Sequence, residues 1–212
     1  VGILAEPLQF IRDLNLPRGF SVCELGDQWI TCEGGHRLAR DFYVKDLGCS
    51  KYVSIDGNGR GTVIADLNIP LPKQGFEDCD FDLVTDFGTG EHVFNQQQVW
   101  HTLHDLTKVD GYIVFDRPSD GYEGHCFFLM QWNVVSALAH ANYYEVVRLE
   151  ECATIRGILL RGVLRKRIAR KFIVPQQGRY YKDLVIDKKS RRRGAEYKSQ
   201  ELRAAGVVGK RK

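Results

Sequence analysis

Asp86-Phe87-Gly88-Thr89-Gly90-Glu91-His92 crowds two carboxylates, a hydroxyl and an imidazole into one short stretch. An imidazole titrates near neutrality, so His92 is a candidate general base that takes a proton from a nucleophile at physiological pH. Glu91 beside it can orient the ring or cap the helix that follows. His125, in Gly124-His125-Cys126-Phe127-Phe128, is a second candidate base. Each histidine can equally be a structural residue bonded to backbone, and the sequence leaves both readings open. Three more acids stand close to small residues, in Glu24-Leu25-Gly26, Asp56-Gly57 and Ala65-Asp66, and Asp86, just before Gly88, makes a fourth. Such carboxylates accept hydrogen bonds from ribose hydroxyls, an adenine amino group or an ammonium. A neighbouring glycine lets the backbone come close to the ligand. The competing reading is that these acids cap helices or solvate loop ends.

These side chains can cooperate only if a scaffold delivers them to one rim. Residues 20–25, 51–56, 62–66, 81–86 and 112–116 are short apolar runs bounded by turn formers, and they predict five strands. Leu8, Ile11 and Leu14 recur at helical spacing and predict an opening helix over 5–14. Further helices are expected over 38–47, stopped by Gly48, from about Asn95 with Val99, Leu103 and Leu106 on one face, and over 131–142. Pro70 and Pro72 exclude a continuing helix there. Residues 143–150 and 155–164 read as an antiparallel pair. This alternation predicts an α/β fold, a doubly wound, mostly parallel Rossmann-like sheet with a C-terminal antiparallel hairpin. In such a sheet ligands occupy the crevice beyond the carboxyl ends of the strands, and Glu24, Asp56, Asp66 and Asp86 all fall there. Residues 1–165 form this domain in the sequence reading, and residues 166–212 form a basic C-terminal extension, partly packed or disordered.

The charge is unevenly spread. Of 30 Lys and Arg, 18 lie from Arg161 onward, against four of the 27 acids, so residues 1–160 carry about −11 and the remainder about +14 of the net +3. Such asymmetry points to an arm, Lys188–Lys212, that meets nucleic acid, an anionic protein partner or the body itself. The six cysteines are scattered with no C-x-x-C pair, which favours reduced thiols and a cytoplasmic setting. No apolar run approaches the roughly 18 residues that cross a bilayer, so no membrane partner is expected. The opening VGILAEPLQFIRDL lacks the basic start and cleavage site of a signal peptide.

The ordered acids resemble those of the class I S-adenosylmethionine-dependent methyltransferases over about residues 15–165. The resemblance implies that Glu24 and Gly26 lie near the methionine part of S-adenosylmethionine, Asp56 at its ribose, and Asp66, in Val63-Ile64-Ala65-Asp66-Leu67-Asn68, near its adenine. It puts Asp86 and Gly88 along the reacting methyl group. The chain is also similar to small methyltransferase-like proteins with a G-T-x-E-H-V segment and a downstream G-H-x-F-aromatic segment, here Gly88 to Val93 and Gly124 to Phe128. That likeness implies methyl transfer to an O or N acceptor, with Glu91, His92 and His125 at the acceptor. One departure stands out: of the glycines in acid-x-G-x-G-x-G only the first survives, in Glu24-Leu25-Gly26-Asp27-Gln28-Trp29. Gln28 either narrows the cofactor site or replaces a backbone contact with its amide. The alternative is therefore a catalytically inactive module of this fold, whose basic arm docks on nucleic acid or within a protein assembly.

Two weaker patterns complete the reading. Gly57-x-Gly59-x-Gly61 precedes a strand rather than a helix, so a tight turn is expected instead of a phosphate cradle. His101-x-x-His104-Asp105 has the helical spacing of a metal pair, but no third ligand accompanies it and no metal is expected.

Overall fold

Burial on two faces sets the middle of the molecule. In the computed structural model, which describes residues 2–3, 5–32 and 35–177, β2 (Ser21–Leu25) and β6 (Phe81–Phe87) are buried almost throughout. They run apolar without alternation because both faces are covered, as parallel strands require. β5 (Lys51–Ile55) lies parallel to β2 on its outer side, and β7 (Thr107–Asp120) lies parallel to β6. β8 (Tyr144–Ala153) and β9 (Ile158–Lys166) close the other edge antiparallel, giving the order β5-β2-β6-β7-β9-β8. The chain runs from β2 outward to β5 and returns to β6, so the strand order reverses between β2 and β6. A crevice opens outside the carboxyl ends of strands at such a reversal.

One face is covered by α3 (Gln96–Leu106) and α4 (Trp132–Asn142), whose Trp100, Leu103, Val135 and Leu138 pack on Val84 and Phe115. Asn95 starts α3 by accepting the Gln98 N–H at 3.1 Å, an N-cap of the usual kind. Lys166 finishes it, donating from Nζ to the His104 and Thr107 carbonyls at 2.8 and 2.7 Å. The other face carries α1 (Ala5–Asp13) and α2 (Ala39–Asp41), the latter running on into a π-helical turn over Phe42–Asp46. Ile11, Phe42 and Tyr43 bury there against Val22, Leu83 and Val114. Residues 170–173 are tied to the body: His104 Nε2 meets the Arg170 carbonyl at 2.7 Å and Asn142 exchanges two bonds with the Ile173 backbone. Lys188–Lys212 lies outside the described residues. Among those described, no helix is long and apolar enough to cross a membrane.

Two segments depart from the sequence expectation. Residues 62–66 make only a single parallel bridge, Val63 to Ile55, in place of the expected third strand. Ser54 and Thr62 exchange three side-chain bonds with each other's backbone and hydroxyls, which diverts the pairing groups after one contact. Residues 29–38, for which periodicity predicts nothing, form the hairpin β3 (Trp29–Cys32) and β4 (Gly35–Leu38), with β1 (Gly2–Ile3) parallel to β3. The loop after β2 therefore enters a hairpin and not a helix N-terminus.

Candidate functional site

The loop leaving β2 is the tightest part of the crevice. Gly26 has φ +85°, and a Cβ there would collide with Thr89 Oγ1 and Gln28 Nε2. Only glycine meets both demands. The Gln28 side chain folds over Gly26 and donates to Thr89 Oγ1 at 2.9 Å, while that hydroxyl donates to the Leu25 carbonyl at 2.9 Å. One amide thus bridges the loops that follow β2 and β6. Its own Oε1 is buried without a partner.

Glu24, fully buried, accepts from Tyr52 Oη at 2.7 Å and from the Gln28 N–H at 3.3 Å, and its Oε1 has no partner. Asp56 is half-buried and accepts the Asp27 and Asn58 N–H groups at 2.9 and 2.8 Å, so it stands beside the Gly26 loop. Asp66 is exposed on a separate turn, accepting from the Asn68 N–H and amide at 2.9 and 2.7 Å and braced by Gln74. Asp86 faces inward. Its Oδ2 binds the buried Arg117 guanidinium through two nitrogens, Nε at 2.6 Å. Its Oδ1 accepts the Thr89 and Gly90 N–H groups at 3.2 and 2.9 Å. Arg117 also donates to Gln96 Oε1 at 3.1 Å, and Gln96 donates to the Gly90 and Val93 carbonyls at 2.6 Å. This network holds the turn that carries Gly88, Thr89 and Glu91.

That turn, a single 3₁₀ turn over Gly90–His92, meets the loop after β7. The Phe127 and Phe128 N–H groups donate to the Glu91 carbonyl at 3.1 and 3.3 Å. The His92 and His125 rings lie 5.1 Å apart, edge to face. One nitrogen from each and one oxygen of buried Glu91 fall within 4.8 Å of one another. Burial and the nearby Asp86 charge push Glu91 up to about 7 against the pull of Arg117. Partial burial and the neighbouring His125 hold His92 below its ordinary value. Glu91 and His125 also wall a cavity of about 430 Å³ with Phe87, Gly88, Asp116 and Tyr122. A volume of this size suits a small organic molecule.

Solved structures share this fold. The N-methyltransferase NodS from Bradyrhizobium japonicum WM9 is 16% identical, with a TM-score of 0.56 over 77% of this chain and 95% of its own. The Burkholderia thailandensis 1,6-didemethyltoxoflavin-N1-methyltransferase, solved with 1,6-didemethyltoxoflavin and S-adenosylhomocysteine, gives a TM-score of 0.55 at 16% identity over 76% and 77%. A S-adenosylmethionine-dependent methyltransferase from Archaeoglobus fulgidus gives 0.53 at 12% identity over 76% and 93%. The fold is that of the class I S-adenosylmethionine-dependent methyltransferases. No protein-family model and no curated protein matches the sequence, so the likeness lies in the fold.

Within this fold the site also takes in Arg117, Gln96 and Asp116, none of which belongs to a motif. Phe115-Asp116-Arg117-Pro118 ends an apolar run in two charges, which was the available signal for a buried pair. Asp116 meets Arg161 Nη2 at 2.8 Å, its Oδ1 has no partner, and burial lifts it to about 6 despite that arginine. His104 has both ring nitrogens engaged, by Tyr144 Oη at 2.6 Å and the Arg170 carbonyl, so the His101–His104 pair is not a free ligand set.

Glu24 makes the methyltransferase fold sensitive to pH. Burial raises its carboxyl from 4.5 to about 8, against the hydrogen bonds from Tyr52 and Gln28. A group raised on folding contributes stability that is complete below its unfolded value and is lost as pH climbs through its folded one. Stability should therefore fall between 4.5 and about 8. Glu24→Gln, which keeps the shape and cannot ionise, should flatten the upper part of that slope. Urea midpoints measured from about pH 5 to about pH 9 check this, and an unaltered slope would assign the titration elsewhere.

Proposed function

We propose that the chain is a S-adenosylmethionine-dependent methyltransferase acting on an O or N acceptor. The observation that carries this reading is the cavity of about 430 Å³ at the carboxyl ends of β6 and β7, with Gly88, Glu91 and His125 in its wall and Glu24, Gly26, Asp56 and Asp66 outside its lining. Similar structures support it: NodS has also been solved in complex with S-adenosylhomocysteine, at 15% identity and a TM-score of 0.54. The bound cofactor would supply an electrophilic methyl group. Asp56 and Asp66 retain carboxylate lone pairs at the rim and fit the adenosine end, as ribose and adenine partners. Gly26 and Glu24 belong to the amino acid end, where the Gln28 amide has to turn aside. Asp86 acts from behind, holding the turn in place by accepting the Thr89 and Gly90 N–H groups while Arg117 pairs with its other oxygen. At the acceptor end, neutral His92 takes the proton that the nucleophile loses, with Glu91 and His125 beside it.

Gln28 over Gly26 favours a second reading, a methyltransferase-like module that takes no cofactor and works through its basic arm on nucleic acid or in a protein assembly. Calorimetry with S-adenosylhomocysteine separates the two. Under the first reading the full chain binds it, and Gln28→Ala, by clearing the crevice, tightens binding about tenfold, roughly 1.4 kcal/mol. Silence from both proteins at millimolar ligand would leave the second reading standing. That module should then bind nucleic acid with an affinity that drops steeply as salt is added.

A further inference from the structure

We propose that Glu91, His92 and His125 bind one divalent transition-metal ion, of which zinc is the representative, with an open coordination position toward the 430 Å³ cavity. The donors are of the right kind. Two imidazoles and a carboxylate suit zinc and its first-row neighbours, whereas magnesium and calcium prefer oxygen alone. Their spacing is close to what is needed: the three donor atoms lie within 4.8 Å of each other. Zinc bonds of about 2.0–2.1 Å set tetrahedral ligands roughly 3.4 Å apart. Exposed His92 and His125 can close that gap by turning their side chains, with the backbone left as it is.

An independent observation points the same way. Glu91 is 2% exposed, and its Oε2 has no hydrogen-bond partner. A buried carboxylate oxygen with nothing to accept is costly, and a cation in front of the group removes that cost. The scaffold is also stiff where a site requires it. The two N–H groups of Phe127 and Phe128 on the Glu91 carbonyl fix the separation of the two ligand-bearing loops, and the Asp86–Arg117–Gln96 network fixes the turn beneath. Three protein ligands leave a fourth position for a water or an acceptor atom, as in catalytic zinc sites. Glu91 and His125 both line the cavity, so that position opens into it. With the ion in place the imidazoles serve as ligands, and acidification of the fourth ligand by the metal does what an imidazole base does in its absence.

The site rests on ligand geometry and not on methyl transfer, so it is tested with neither cofactor nor acceptor present. The full chain, untagged and stripped with chelator, is titrated with Zn²⁺ by calorimetry and with Co²⁺ by visible absorption. Saturable binding of one equivalent is expected, with cobalt d–d bands of a low-coordinate nitrogen and oxygen site. His92→Ala and His125→Ala should each weaken binding by about tenfold or more and bleach those bands. Both side chains are exposed, so the variants should fold, and circular dichroism confirms it. His101→Ala, on the far part of α3, should bind as the parent does. Absence of a one-equivalent site, or binding as tight in the two histidine variants as in the parent, would overturn the assignment.

Discussion

Arg117→Met is expected to cost about 3–5 kcal/mol of folding free energy, because it strands a buried charge. Asp86 has no exposed surface and Arg117 is 1% exposed, so water cannot take the place of the guanidinium. The loss would spread beyond the pair, since Arg117 also bonds Gln96, whose amide holds the Gly90 and Val93 carbonyls. Asp86→Asn in the same background should recover much of the loss: the asparagine oxygen can still accept from Thr89 and Gly90 without carrying a charge. Urea unfolding of parent, single and double variants measures both steps. A single-variant loss of less than about 1 kcal/mol, the scale of an exposed pair, would mean that solvent reaches Asp86 after all.

In the metal-free protein, His92→Ala is expected to reduce methyl transfer by about 10²- to 10⁴-fold, the contribution of a positioned general base. Affinity for S-adenosylhomocysteine should hardly change, because in the proposed mechanism His92 meets the acceptor, whereas Gly26, Asp56 and Asp66 meet the cofactor. The pH profile should carry the same residue. Burial and His125 depress the His92 imidazole below 6.5, and the neutral form is the working one. The acidic limb of the rate profile should therefore lie below pH 6.5, and His125→Ala, by removing one of those influences, should move it upward. Steady-state rates across pH with both variants make the comparison. Turnover unchanged in His92→Ala would remove the residue from the chemistry.

Much of the scaffold could be read from the chain alone. The runs at 20–25, 81–86 and 112–116 are largely apolar because both faces of the sheet are covered there, and burial of that kind leaves its mark in composition. The Asn95 cap and the antiparallel closing strands are local signals too, and local signals survive in sequence. The run at 62–66 misled for the same reason. Ala65 and Leu67 are buried, but burial says nothing of hydrogen-bond partners, and Ser54 with Thr62 had already taken them.

Long-range pairing belongs to the tertiary structure. That Glu24, Asp56 and Asp86 stand at strand ends could be foreseen, but the fates of the four acids could not: Asp56 is half-buried beside the Gly26 loop, Asp66 lies exposed on a turn that ends no strand, Glu24 is sealed beneath Tyr52 and Gln28, and Asp86 is spent on Arg117. The register pairs Phe87 with Asp116, which puts Arg117 one step beyond and within reach of Asp86. A register shift of a single residue would turn that guanidinium to the opposite face of the sheet. Gln28 could be recognised as a bulky residue in a glycine's place, yet only the fold turns its amide across to Thr89. His92 and His125, far apart in the chain, meet because two loops share the Glu91 carbonyl, a backbone contact that residue types do not encode. Composition and periodicity report which faces avoid water, whereas the identity of each buried charge's partner is settled by strand register and loop contacts once those faces have come together.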